Sequence, residues 1–439
     1  MRGGGGFRAD IEGLRTVSVL AVIGYHAFPA LLPGGFVGVD VFFVISGFLI
    51  TRLLLTEYTR DQRIDLVAFW ARRIRRILPV ATLVLVVTTG SAMLMPAFDA
   101  RALAPHAIAA ALFVHNVHQA REATDYLAGS HAENPLLHYW SLSIEEQFYL
   151  VWPPILLALL IAARRRGGMR LVGAASGLLV AASFALNLSL TERDPALAFF
   201  HPAARAWQLG LGGLLALAEP AWAARLALNG DGARRRAALA ALLAWAGVAG
   251  LGVAFLALDA TTPYPGLPAL VPTLSALALI AANGLSATPI GAVLSTAPLR
   301  RIGRLSFGWY LWHWPTLVLG RTLLGADIAT DLGLIALSLA LAALSYRFVE
   351  APLRHGGAMS PASQTTTPGS AFRLGFALTV ASVSLGLVAR FFAPDSVPVG
   401  GGMSLSLSAI KADRPILYEQ GCLLRFADIE QPPCVFGDP

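Results

Sequence analysis

The sequence predicts an all-α polytopic membrane protein: a ten-helix transmembrane bundle plus one additional C-terminal span, N-terminus inside and C-terminus outside. Three observations predict it. Hydrophobic residues make up 56% of the 439 positions and charged residues only 13%, too little charge to cover a soluble protein of this length. Apolar runs of spanning or near-spanning length recur about eleven times. Arginine clusters fall between those runs in a pattern that one membrane orientation explains. The formal net charge of +7 therefore reads as topology, and no nucleic-acid partner is expected.

The runs lie at roughly 14–32, 36–55, 77–95, 140–162, 170–189, 203–219, 237–257, 268–283, 305–324, 329–348 and 373–393. The first follows a Gly-rich basic start, is interrupted by His26 and closes at Pro33-Gly34-Gly35, so it reads as a retained span and not a removed leader. Asp40 enters the second from the outer side. Phe69-Trp-Ala-Arg-Arg-Ile-Arg-Arg-Ile-Leu-Pro79 opens the third from inside. The fourth starts at His138-Tyr-Trp-Ser-Leu-Ser-Ile-Glu145-Glu146. A weaker stretch, 102–118, carries His106, His115 and His118. If it does not cross, the clusters around Arg15, Arg72–Arg76, Arg164–Arg166, Arg234–Arg236, Arg300–Arg304 and Arg347–Arg354 all fall inside. It is therefore expected to be re-entrant or to lie on the outer face.

These spans divide the chain into a ten-span domain at 1–354, a polar cytoplasmic linker at 355–372, an eleventh span at 373–393 that looks like a tether, and an extracytoplasmic extension at 394–439. Cys422 and Cys434 then sit in an oxidising space, where a disulfide is expected.

Polar groups inside spans are costly and mark candidate sites. Arg15 and His26 stand eleven residues apart, about three turns or roughly 16 Å along one helix face. That face presents a cation at the inner end and an imidazole deep in the membrane, which suits a long substrate with an anionic head and a reactive far end. His26 can act as general base or acyl carrier, and Arg15 can hold phosphate. The structural alternative is a hydrogen-bonded histidine and an arginine reaching the headgroups. Asp40 can orient His26 or interact with free N–H groups at a helix start. Arg72, Arg73, Arg75 and Arg76 can clamp phosphates or serve topology alone. Glu145 and Glu146 point about 100° apart on a helix and cannot share one role. Ser143, Tyr149 and His313, the last inside Ser306-Phe-Gly-Trp-Tyr-Leu-Trp-His-Trp-Pro315, are substrate-contacting or structural candidates. His115 and His118 share a helix face, but no acidic or thiol ligand completes a familiar zinc pattern, so no metal site is expected.

Several of these motifs occur together in one order: Phe7-Arg-Ala-Asp-Ile-Glu-Gly-Leu-Arg15 with His26, Gly34-Gly-Phe-Val-Gly-Val-Asp40-Val-Phe-Phe-Val-Ile-Ser-Gly-Phe48, the Arg72–Arg76 cluster and Trp140-Ser-Leu-Ser-Ile-Glu-Glu-Gln-Phe-Tyr149. Over about residues 7–354 the chain resembles the bacterial acyltransferase-3 family of membrane O-acyltransferases. The resemblance implies a multi-pass protein of the cytoplasmic (inner) membrane. It implies transfer of an acyl group, usually acetyl, from cytoplasmic acyl-coenzyme A to a hydroxyl of an extracytoplasmic glycan such as O-antigen, peptidoglycan or exopolysaccharide. Acyl-coenzyme A is then a donor substrate, with no permanently bound cofactor. Arg15 and His26 match the family's essential pair. The Trp-His-Trp-Pro segment and the eleventh span resemble the subclass fused to an SGNH-type domain. Such a domain is expected to begin where the sequence ends, at Cys434-Val-Phe-Gly-Asp-Pro439; the 439 residues hold no catalytic Gly-Asp-Ser block, so the SGNH-type domain is expected to be missing from this chain. A transporter or flippase for a glycan or lipid-linked intermediate, or an assembly scaffold, would use similar spans. The lack of an internal repeat weighs against transport.

Overall fold

A computed structural model describes residues 8–124, 134–165, 168–227, 232–354 and 367–392, and two short strands at 396–399 and 403–406. The expected Cys422–Cys434 disulfide, His131, linker residues 355–366 and most of the 394–439 extension lie outside the described residues. In chain order the helices are α1 (Ala9–Ala27), α2 (Gly38–Asp61), α3 (Leu66–Met93), α4 (Ala100–Ala111), α5 (His115–Thr124), α6 (Tyr139–Arg165), α7 (Gly168–Arg193) and α8 (Pro195–Phe200). They continue as α9 (Pro202–Ala227), α10 (Gly232–Ala257), α11 (Leu270–Leu285), α12 (Pro289–Leu294), α13 (Ala297–Leu324), α14 (Ile328–Ser345), α15 (Ala351–Arg354) and α16 (Pro368–Phe392). A π-helical turn, Tyr346–Glu350, joins α14 to α15. Strands Ser396–Val399 and Met403–Ser406 pair antiparallel, Ser396 opposite Ser406.

Seven helical stretches among the described residues are long and apolar enough to cross a membrane: Gly35–Asp61, Leu66–Met93, Tyr139–Arg164, Gly168–Arg193, Gly232–Ala257, Ile328–Leu353 and Pro368–Phe391. The four other expected spans fall in α1, α9, α11 and α13. α1 carries Asp10, Glu12 and Arg15, and α13 carries Arg300, Arg301, Arg304 and Arg321. α9 includes Arg205 and Glu219, and α11 has only 16 residues. Polarity or shortness, not a broken helix, separates these four from the seven.

Two boundaries differ from the expected ones in ways that move the site. α1 ends at Ala27, five residues short of the expected limit, because Phe28 precedes Pro29 and leaves the helix at φ −136°, ψ 64°. His26 therefore sits in the last turn of α1 and not midway along a span. α3 begins at Leu66, well ahead of residue 77. Asp65 caps it, accepting from the Ala68 N–H at 2.9 Å. The Arg72–Arg76 cluster consequently rides on the helix, and helical phase decides which arginine faces where.

The 102–118 stretch breaks into α4 and α5 at Leu112–Val114, with Phe113 in the left-handed region at φ 53°. At 12 and 10 residues the two helices rise about 18 Å and 15 Å, so neither crosses a bilayer alone. α16 is more than a tether. It packs along α3 and α4, where Gly375 lies against Ile74 and Leu78 and Gly386 against Ile108.

The centre of the bundle is the α2–α9 crossing. A Cβ on Gly47 would lie 1.8 Å from the Leu209 carbonyl oxygen, and one on Gly212 would lie 2.1 Å from that of Val44. Only glycine lets these backbones approach so closely. α1 lies along α13: the Thr16 hydroxyl donates to the Leu299 carbonyl at 2.6 Å, and Arg321 donates to the carbonyls of His26 and Ala27 at 3.1 and 3.3 Å. N-terminal ends meet N-terminal ends, so the two helices run parallel.

Candidate active site

The arginines are gathered around one cavity of about 820 Å³, counted with its open mouth. Its walls come from α1, α2, α3, α6 and α13. They carry Arg15, Arg73 and Arg76 together with Glu145, Tyr149, Ser46, Ser141 and Tyr310, set among Phe42, Phe43, Phe307 and aliphatic side chains. Three guanidiniums against one carboxylate leave the chamber short of negative charge, with hydroxyl groups and apolar side chains making up the rest of its wall.

Helical spacing explains the selection of arginines. Arg73 and Arg76 are three apart on α3 and share its cavity face. Arg72 points away, exposed, and pairs with Glu57 at 3.3 Å. Arg75 is likewise absent from the cavity wall. The four-arginine clamp read from the sequence is thus two arginines from α3 plus Arg15 from α1. The nearest carboxylate to Arg15 is Glu12, at 3.7 Å on the same helix. The Nε of Arg73 is buried with no hydrogen-bond partner.

The adjacent glutamates part company as their 100° offset requires. Glu145 lines the cavity, where its Oε1 accepts from the Ser46 hydroxyl at 2.5 Å and from the Tyr149 hydroxyl. Glu146 is not on the cavity wall, and its Oε1 is buried without a hydrogen-bond partner. Ser143 is structural. Its hydroxyl donates to the Tyr139 carbonyl at 2.9 Å and accepts from the His115 N–H at 3.3 Å, tying α5 to α6.

His26 and His313 meet. The Nδ1 of His26 lies 2.9 Å from the Nε2 of His313, and Trp314 and Tyr25 flank the His26 ring at 4.5 and 5.3 Å between centroids. The Nδ1 of His313 lies 2.5 Å from the Tyr310 carbonyl oxygen, which can only accept. His313 Nδ1 therefore carries the proton and its Nε2 offers a lone pair. His26 must donate from Nδ1, which leaves the lone pair of His26 on Nε2. Tyr310 is where cavity and histidine pair touch: its ring is 5.4 Å from that of His313, and its hydroxyl lies 2.6 Å from Ser141 Oγ. His26 itself is not part of the cavity wall.

Asp40 does not orient His26. It is 1% exposed and forms a buried ion pair with Arg205 at 2.8 Å, with Gln208 donating to the same oxygen. Phe43, Trp140, Phe199 and Tyr264 surround the Arg205 guanidinium at 5.4–6.0 Å from their ring centres. Asp40 and Arg205 begin the paired helices α2 and α9 and hold them in register. Arg205 was missed because nothing in Pro202-Ala-Ala-Arg distinguishes a buried partner from a topogenic charge. Tyr310, three residues before His313, was within reach of a helical-face argument.

On α4 and α5 the structure supplies the carboxylate that the sequence seemed to lack. Glu122 Oε1 lies 3.1 Å from His106 Nε2 and 3.4 Å from His118 Nε2.

A family model described as an acyltransferase domain matches residues 8–347. The chain is 32% identical over 353 residues to the peptidoglycan O-acetyltransferase OatA of Listeria monocytogenes, covering 79% of this chain and 56% of that one. It is 33% identical to the O-acetyltransferase OatA of Staphylococcus aureus, covering 79% and 57%. It is 34% identical to the putative peptidoglycan O-acetyltransferase YrhL of Bacillus subtilis, covering 79% and 55%. The chain thus spans just over half the length of these relatives. No solved structure matches it. With the matched region enclosing every helix that lines the cavity, the chain belongs to the acyltransferase-3 family of membrane acyltransferases.

Proposed function

We propose that this chain moves an acyl group, acetyl in the first instance, from an acyl-coenzyme A bound at the arginine end of the cavity to a hydroxyl of a cell-wall glycan on the opposite side of the cytoplasmic membrane. The observation that carries the reading is the convergence of Arg15, Arg73 and Arg76 on one chamber whose far wall, Tyr310, abuts the His26–His313 pair. Guanidiniums match phosphate oxygens in pairs and stay charged in apolar surroundings, which suits the pyrophosphate of coenzyme A. The names of the relatives favour peptidoglycan as the glycan.

In this reading the Nε2 lone pair of His26 takes the proton of the acceptor hydroxyl. The oxygen attacks the thioester carbonyl and forms the new C–O ester bond, the C–S bond breaks, and the His26 imidazolium returns the proton from Nε2 to the sulfur, so that coenzyme A leaves as the thiol. His313 holds His26 in the tautomer that the step needs, as a positioning residue. Glu145, Ser46 and Tyr149 shape the chamber. Asp40 belongs to the scaffold. The arginine clusters support an N-terminus inside, and the parallel α1 and α13 support a 102–118 stretch that does not cross, since seven expected spans then separate them. An eighth would make them antiparallel. An SGNH-type outer domain belongs to the same reading where the first acceptor hydroxyl is a carrier from which that domain passes the acyl group to the glycan, as do the ten-span body at 1–354 and the additional eleventh span.

The test is release of coenzyme A from acetyl-coenzyme A by the protein in liposomes, with and without His26→Ala. Turnover in the parent that disappears in a folded variant supports the reading. Equal turnover in both overturns the role of His26. Glycan movement without coenzyme A release would make the chain a transporter.

A further inference from the structure

Away from the cavity, α4 and α5 fold back on each other across the Leu112–Val114 elbow and bring four titratable side chains together. His118 and Glu122 are four apart on α5 and share a face. His106 reaches them from α4. One carboxylate oxygen of Glu122 lies 3.1 Å from His106 Nε2 and 3.4 Å from His118 Nε2, and the ligand atoms of all three lie within 4.8 Å of one another. Donors bound tetrahedrally to zinc at about 2.0–2.1 Å stand roughly 3.3–3.4 Å apart. The two measured edges, 3.1 and 3.4 Å, lie within about 0.3 Å of that length.

The surroundings fit a metal as well as the donors do. The other nitrogen of His106, Nδ1, lies 3.3 Å from the Nε2 of His115, which is wholly buried. A histidine that ligates through Nε2 needs its Nδ1–H held by an acceptor, and His115 stands where that acceptor belongs. His115 is in turn anchored through its backbone N–H to Ser143 of α6, the helix that carries Glu145. Glu122 is 44% exposed at the side chain and His106 and His118 are 12% and 26% exposed, so an ion can enter from one side.

We propose that His106 Nε2, His118 Nε2 and Glu122 Oε1 form a binding site for one zinc ion, with His115 as the hydrogen-bond acceptor behind His106 and a fourth position left to water. Two imidazoles and a carboxylate suit zinc better than magnesium or calcium, which prefer oxygen alone. The ion clamps α4 to α5 across their elbow and fixes the outer flank of α6.

The experiment uses the full chain in detergent, free of any histidine tag and stripped with chelator. Zinc chloride is titrated by calorimetry, and cobalt replaces zinc for absorption spectroscopy. One zinc per chain is expected, with the strong visible bands of tetrahedral cobalt. Glu122→Gln, at an exposed position that does not threaten folding, should weaken zinc binding at least tenfold and alter the cobalt spectrum. His118→Ala should abolish both signals. His201→Ala, which removes a histidine elsewhere, should leave both unchanged. Absence of saturable zinc uptake in the parent overturns the proposal, and so does uptake that Glu122→Gln and His118→Ala leave intact. In either case Glu122 is only a hydrogen-bond acceptor between two imidazoles.

Discussion

Replacing His313 separates a positioning role from a packing role. In the structure His313 Nε2 is the acceptor for His26 Nδ1–H at 2.9 Å, and Nδ1 of His313 is committed to the Tyr310 carbonyl. His313→Ala strands a buried N–H on His26 and lets the imidazole shift its proton to Nε2, where the basic lone pair is needed. A stranded buried donor costs about 1–3 kcal/mol. At about 1.36 kcal/mol per tenfold in rate, kcat should fall roughly 5- to 150-fold. His313→Gln restores an acceptor oxygen near the same place and should recover most of the loss. The cavity arginines are untouched, so KM for acetyl-coenzyme A should stay within about twofold, since uniform binding is unchanged. Initial rates of coenzyme A release in liposomes, measured against donor concentration, give both constants. The reasoning fails if His313→Ala turns over like the parent, if its defect is confined to KM, or if folded His313→Gln is as impaired as His313→Ala.

Other outcomes follow from the same geometry. Arg73→Ala or Arg76→Ala should raise KM for acetyl-coenzyme A about 10- to 150-fold, as expected for a charge-assisted hydrogen bond worth roughly 1.5–3 kcal/mol, whereas Arg72→Ala, whose partner is Glu57 at the exposed edge, should change it less than about twofold. Asp40→Asn and Arg205→Met should each destabilise the folded chain by about 3–5 kcal/mol, and the double replacement by less than either, since it leaves no lone buried charge; unfolding in detergent measures all three. Gly47→Ala should cost about 1–3 kcal/mol or more by forcing α2 from α9, read as a lowered melting temperature with the greatest loss when paired with Gly212→Ala.

The helical character and the run positions could be read from composition and hydropathy because lipid imposes a one-dimensional pattern on the chain. Helix ends resisted. Phe28-Pro29 stops α1 early and Asp65 starts α3 early, and both are local backbone effects that a hydropathy window averages away. Arg15 and Glu145 were legible as candidates since charge inside a span is rare, Arg73 and Arg76 as part of a cluster opening the third span, and their convergence needed only helical phase. The partners of His26 and Asp40 were not legible. His313 and Arg205 lie 287 and 165 residues away in the chain, and packing alone decides which buried polar group finds which. Glu122 was hidden for a different reason: it belongs to a two-helix fold-back, while the sequence there was weighed as one segment.

The pairing of α1 with α13 also governs what can move. These helices are fastened near their N-terminal ends, where a Cβ on Gly303 would lie 2.0 Å from the Glu12 carbonyl, and again toward their C-terminal ends by Arg321, itself held by Asp331 at 2.7 Å. Both histidines ride on this doubly pinned strut. Moving the pair as one body keeps the imidazoles within reach of each other, whereas sliding one helix past the other would part Nδ1 of His26 from Nε2 of His313. The chamber's remaining walls, α2, α3 and α6, carry neither histidine of the pair, so a change in their positions can reshape the cavity without breaking that hydrogen bond. The pinned helices are in effect an axle, and under the proposed function any opening of the chamber falls to its other walls.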